Sequence, residues 1–158
     1  MDYPSRADYA RLNADLYRKY LDFSTAFKMD GGLALLVDIR ASQLNGCAFC
    51  LDMHVKQARL HGERELRLHH VPIWRESPMF TPRERAALAW TEALTHIPAG
   101  GISDAVYSKA REQFTEAELA ELTWRVAAIN GWNRLNVAFR TTPGSKDGMF
   151  GLDKSGLG

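Results

Sequence analysis

Residues 33–62 read LALLVDIRASQLNGCAFCLDMHVKQARLHG, two helical patterns parted by Asn45 and Gly46. Both parting residues tolerate the left-handed backbone that closes a helix, so the first pattern is expected to span Leu33 to Leu44. The second starts afresh at Cys47. It continues through Cys50, Met53, His54, Gln57, Ala58 and Leu60 to His61 and Gly62, where glycine again supplies a stop. On such a helix Cys47, Cys50 and His54 stand at i, i+3 and i+7, which stacks their side chains on one face.

The flanking sequence repeats this helical habit. Few segments alternate apolar and polar residues for long, and the β-branched residues are scattered, so the chain reads as all-α. A first helix is expected from Ser5 to Leu21, with Tyr9, Leu12, Leu16, Tyr17 and Tyr20 forming an apolar stripe that reads as core. Glu63 to His69 reads as a short helix. Pro72 and Pro78 bracket a loop from His70 to Phe80. Its Ile73, Trp74, Met79 and Phe80 are too apolar for a solvated connection, so it is expected to fold against the core or a neighbouring subunit.

Thr81-Pro82-Arg83-Glu84 is a capping box with proline at the first helical position, and its helix should end near Ile97-Pro98. Ser103 caps a helix reaching about Phe114. Thr115 with Glu118 opens the longest pattern, which reaches Phe139 provided that Gly131 is tolerated inside it. Within it Asn130, Asn133 and Arg134 read as residues that tie helices together. The last fifteen residues, Gly144 to Gly158, hold five glycines and almost no periodicity. The chain thus divides into a single-domain helical bundle over 1–142 and a Gly-rich tail over 143–158, loose unless an oligomer interface holds it.

The 158 residues, 46% of them hydrophobic, suffice for a core without disulfide staples. Twenty Lys and Arg against nineteen Asp and Glu leave a net charge of +1, so no electrostatic footprint points to nucleic acid. The longest apolar stretch, Leu33 to Val37, falls far short of the roughly 20 residues of a membrane span. The N-terminus lacks the pattern of a secretory signal, and a cytoplasmic address is the expectation.

Only two cysteines are present, spaced C-x-x-C, a pattern more often redox-active or metal-binding than structural in a reducing compartment. An ordinary thiol with a pKa near 8.5 is only about 3% thiolate at neutral pH. A helix start and an imidazole one turn beyond Cys50 both favour the thiolate. Such a pair permits attack by one thiolate on a peroxide oxygen or disulfide sulfur, then closure of an internal disulfide by the other. No third cysteine, flavin fingerprint or dinucleotide-binding glycine motif exists to restore the thiols, so no cofactor is expected and an external electron donor is implied. Closed zinc sites want four ligands, whereas the motif and His54 supply three; His61, His69 or His70 would have to be the fourth, and no metal is expected.

The segment Arg40 to His54, RASQLNGCAFCLDMH, closely resembles the signature of alkyl hydroperoxidase D-like proteins, a branch of the carboxymuconolactone decarboxylase family. Ala87 to Thr95 (ALAWTEALT) and Ile129 to Arg140 (INGWNRLNVAFR) also resemble that branch, so the likeness spans most of residues 35–140. The resemblance implies an all-helical fold in trimers or hexamers. It also implies a thiol oxidoreductase reducing small hydroperoxides or disulfides with an external dithiol donor. By it, Cys50 is the attacking thiolate, Cys47 the resolving partner and His54 a member of a proton relay. The family places a Glu twelve residues before the first cysteine, where Leu35 stands here. Asp38, one turn later, and Glu92 are the candidates to replace it. Rival readings are an electron-transfer adaptor for a separate peroxidase and a non-enzymatic oligomeric redox-sensing or binding protein.

Overall fold

The computed structural model describes residues 4–157. The first three residues, on which the reading of the N-terminus partly rests, and Gly158 lie outside them. The described residues form one all-helical domain: α1 (Tyr9–Leu12), α2 (Ala14–Thr25), α3 (Gly31–Leu44), α4 (Ala48–Leu60), α5 (Glu65–His70), α6 (Pro82–Thr95), α7 (Asp104–Arg111), α8 (Glu116–Phe139) and α9 (Asp147–Phe150), with 3-10 turns at Val71–Ile73 and Leu152–Ser155. No helix among the described residues is long and apolar enough to cross a membrane.

Local chemistry starts most of these helices. Asp30 accepts the Leu33 amide at the head of α3, and Ser103 accepts the Val106 amide at the head of α7. Both expected capping boxes are formed, Thr81 with Glu84 and Thr115 with Glu118, each pair satisfying two amides that the first turn leaves unbonded.

The centre of the bundle is α3, apolar on nearly every side, as a helix enclosed by others must be. Its Leu33 and Val37 join Ala87, Trp90, Leu122 and Val126 in a cluster with α6 and α8. Its Leu36 and Ile39 join Ala58, Leu68, Val71, Trp74 and Phe80 in a second, shared with α4 and the loop after α5. Each buried leucine or valine contributes about 1.5–3 kcal/mol relative to exposure. The loop over 70–80 folds against the core as expected, and Arg85 fixes it by donating to the carbonyls of Trp74, Arg75 and Ser77.

Asn130 and Asn133 also tie helices as expected. Asn45 Nδ2 donates to both side-chain oxygens, at 3.0 and 2.8 Å, while Asn133 Nδ2 donates to Ser42 and Asn130 Nδ2 to Thr95. This stripe locks the end of α3, where the first pattern stops, against α6 and α8.

The N-terminal arm departs from expectation in two ways. A single helix over Ser5 to Leu21 does not form, because Asn13 leaves helical geometry (φ −126°, ψ 51°) and parts α1 from α2. Nor is its apolar stripe core: Leu12 and Leu16 are 62% and 67% exposed, and only the tyrosine side meets α8. The arm is one layer thick, so residues on its far face have nothing to cover them. Tyr20 donates to the Ala128 carbonyl at 2.8 Å and passes directly over Gly131, where a Cβ would overlap its hydroxyl. Gly131 is thus more than tolerated inside α8; it is the seat of the arm.

The tail, expected to be loose, instead folds back on α4. Glycines at 144, 151 and 156 take positive φ and turn the chain, Leu152 is buried, and Lys56 joins Asp147 at 2.6 Å and Asp52 at 3.0 Å.

Gly131→Ala is expected to push Tyr20 off α8 despite the roughly 1 kcal/mol that alanine adds to a helix interior. Faster proteolytic cleavage within residues 14–25 than in the wild type is the check; unchanged cleavage would show that Tyr20 does not anchor the arm.

Candidate active site

Cys47 is not the first residue of α4 but its cap. Its backbone is extended, and its sulfur accepts the Cys50 amide at 3.2 Å. Cys47 and Cys50 are joined as a disulfide and are 2% and 1% exposed. Cys50 lines a cavity of about 720 Å³ between the arm, α3, α4, α8 and the tail, whereas Cys47 does not line it. Asn136 of α8 approaches the Cys50 sulfur with its Nδ2 at 3.6 Å, and its Oδ1 accepts the Tyr9 hydroxyl at 3.1 Å. Burial first, then the neighbouring Tyr17, push the Tyr9 pKa up to about 12, so Tyr9 stays a donor.

His54 lines the same cavity and is buried. Its Nδ1 stands 2.8 Å from Gln57 Oε1 and 3.6 Å from Asp38 Oδ2. With Gln57 Oε1 accepting, the proton sits on Nδ1 and leaves a bare lone pair on Nε2, which is buried without a partner among the described residues. Burial pushes the His54 pKa below its ordinary value, and the nearby Asp38 carboxylate only partly opposes this. Asp38 in turn is gripped by the Arg125 guanidinium from α8, through Nε at 3.0 Å and through Nη2.

These positions decide between the candidate acids. Leu35 packs against the second cluster and does not line the cavity. Glu92 also stands outside it, held by Arg40 Nε at 2.7 Å, Trp74 Nε1 at 2.8 Å and Arg75 Nη1 at 2.6 Å. Burial alone would raise the Glu92 carboxyl, yet these donors hold it below the ordinary carboxylate range. Asp38 is the acid beside His54. Phe49 lines the cavity wall. His61 lies against Gly31 at the head of α3, His70 meets Ser77 Oγ at 3.0 Å, and neither lines the cavity. Among the described residues no group of three or more His, Cys, Asp or Glu is placed to hold a metal ion.

Four contributors escaped the sequence reading: Tyr9, Gln57, Arg125 and Asn136. Asn136 had a signal, being the third asparagine at a spacing of three after Asn130 and Asn133. Gln57 is one turn after His54, which also allows contact. Arg125 stands 87 residues from Asp38, and nothing local announces that pairing.

The carboxymuconolactone decarboxylase family model matches residues 14–93. The uncharacterized protein YdfG of Bacillus subtilis is 40% identical over 111 residues, covering 70% of this chain and 76% of YdfG. The chain belongs to the carboxymuconolactone decarboxylase family, on its alkyl hydroperoxidase D-like branch. A protein of unknown function from Agrobacterium tumefaciens, a candidate antioxidant defence protein AhpD, superposes with a TM-score of 0.85 at 35% identity. That alignment covers 89% of this chain and 98% of the other. A solved debrominase shares the fold with a TM-score of 0.76 at 21% identity, covering 92% of this chain and 79% of its own.

Because His54 is buried with a lowered pKa, the unfolded chain binds its proton more readily than the folded one. Its contribution to stability is complete above the ordinary histidine value of about 6.5 and is lost as pH falls below it. Thermal melts across this range are expected to fall less steeply with acid in His54→Gln than in the wild type. Equal slopes would mean that His54 takes up its proton without cost to the fold. Asp38→Asn leaves the Arg125 charge without its partner and is expected to cost about 3 kcal/mol in a denaturant titration.

Proposed function

We propose that this protein is a thiol-dependent oxidoreductase that reduces hydroperoxides through a Cys47–Cys50 dithiol/disulfide cycle, drawing electrons from an external dithiol. The observation that carries the reading is the pairing, on one cavity, of Cys50 with a buried imidazole whose Nε2 lone pair is unclaimed. His54 takes the Cys50 proton as a general base. Asp38 stabilises the resulting imidazolium, and Arg125 holds the Asp38 carboxylate in place. The Asn136 amide donates toward the sulfur and favours its thiolate.

The cycle balances. The Cys50 thiolate attacks the distal peroxide oxygen and the O–O bond breaks; the alkoxide leaves as an alcohol with the proton held by His54. Cys50 is then a sulfenic acid. The Cys47 thiol attacks its sulfur, the thiol proton leaves with the sulfenic hydroxyl as water, and the S–S bond closes. An incoming dithiol reduces that bond by exchange, becoming a disulfide itself. Only Cys50 of the pair lines the cavity, which favours a small oxidant over another protein's disulfide and so counts against the adaptor reading. Trimers or hexamers remain part of the proposal, and the exposed Leu12, Leu16 and Trp124 offer apolar surface for such contacts.

Hydrogen peroxide consumption with dithiothreitol tests the cycle. Turnover is expected to vanish in Cys50→Ser and Cys47→Ser and to fall by roughly a hundredfold in His54→Gln. Leu35→Glu should leave the rate within about twofold, because Leu35 does not line the cavity that holds Cys50 and His54. Turnover that survives Cys50→Ser would sink the assignment. A large rise in Leu35→Glu would instead remove Asp38 from its proposed place beside His54 in the relay.

A further inference from the structure

The cavity above Cys50 is much larger than hydrogen peroxide needs. It encloses about 720 Å³, whereas a water occupies about 30 Å³ of liquid. Sites of this size hold ligands with a substantial apolar body. The walls supply a matching surface from Tyr17, Phe49, Met53, Ile129, Trp132 and Phe139. Trp132 is fixed in place by its Nε1 donating to Ser24 at 2.8 Å and by the rings of Tyr17 and Tyr20.

Another part of the lining is polar. Ser5 Oγ lies 3.1 Å from Thr142 Oγ1, which brings the start of the arm against the segment after α8, and Ser145 and Lys146 line the cavity from that segment. Of the five Asp, Lys and Arg side chains on the lining, four are engaged. Asp38 pairs with Arg125, Asp8 accepts the Arg11 amide, and Arg6 donates to the Ala138 carbonyl. The fifth, Lys146, pairs its ammonium with no side chain among the described residues, and Asp147 beside it is taken by Lys56. The lining therefore offers an apolar wall around the sulfur and one uncommitted cation.

We propose that this site takes an amphipathic hydroperoxide, with its apolar chain or ring among the aromatic walls and a carboxylate at Lys146. The chemistry rests on the proposed thiol cycle, in which the organic part leaves as the corresponding hydroxy acid and Cys47 and Cys50 close to the disulfide. Binding does not rest on that cycle, because the hydroxy acid carries no peroxide bond to react.

Calorimetric titration of the disulfide form with the hydroxy acid derived from linoleic acid hydroperoxide, and with its methyl ester, separates the two. The acid is expected to bind more tightly than the ester. Lys146→Gln should weaken the acid about fivefold while leaving the ester unchanged, which also shows that the variant is folded. Lys146→Glu should weaken the acid further. No binding of either compound, or acid affinity indifferent to both substitutions, overturns the proposal. Acid binding that depends on Lys146 without peroxide turnover by the reduced enzyme would uphold this inference and defeat the thiol cycle alone.

Discussion

The carboxylate of Asp38, 1% exposed at the middle of α3, must be compensated if it is to remain charged there. Arg125 supplies the compensation from α8 with a two-pronged grip, and the geometry that results fixes much else. It joins the central helix to the longest one, and it presents Asp38 to His54 on α4. Three helices therefore meet at one charge pair. Arg125 carries its own stake, since its partly buried guanidinium would lose its counter-charge without Asp38. An apolar substitute for the pair would pack as well and leave the imidazole without an acid beside it, which makes function the better account of a costly arrangement.

Around that pair, the two sides of the site are built differently. The α4 side is local: Cys47, Cys50, His54 and Gln57 follow one another along a single helix and its cap. The opposite side is assembled from distant segments. Asn136 comes from the far end of α8, and Tyr9 comes from an arm that holds to α8 through Tyr9, Tyr20 and Ser24. The arm buries no residue completely and still lines the cavity, because its tyrosines meet Trp132 and Phe139 edge to face, tilted or stacked. Stability is concentrated around α3, and the arm draws little on it.

What could be read from the residues follows the same division. The capping boxes at Thr81 and Thr115, the stop at Asn45 and Gly46, and the common face of Cys50 and His54 are matters of spacing within a few residues. Asp38 was recognisable as one of two candidate acids, yet choosing it over Glu92 required knowing that Glu92 is occupied by Arg40, Trp74 and Arg75 across the bundle. Periodicity told which side of the arm is apolar and could not tell whether anything lies opposite, so Leu12 and Leu16 read as core and stand in solvent. The tail misled in the other direction. Its glycines imply freedom when counted, whereas placed at turns they steer Leu152 into α4 and Asp147 onto Lys56.

The contact between Ser5 and Thr142 sets the start of the arm against the residue that leads into the tail, and both residues line the cavity. A peptide or fluorophore fused ahead of Ser5 would depart from a residue that lines the cavity. An affinity handle ahead of Ser5 is therefore not neutral in position, and one removable by a protease is the safer choice for any assay.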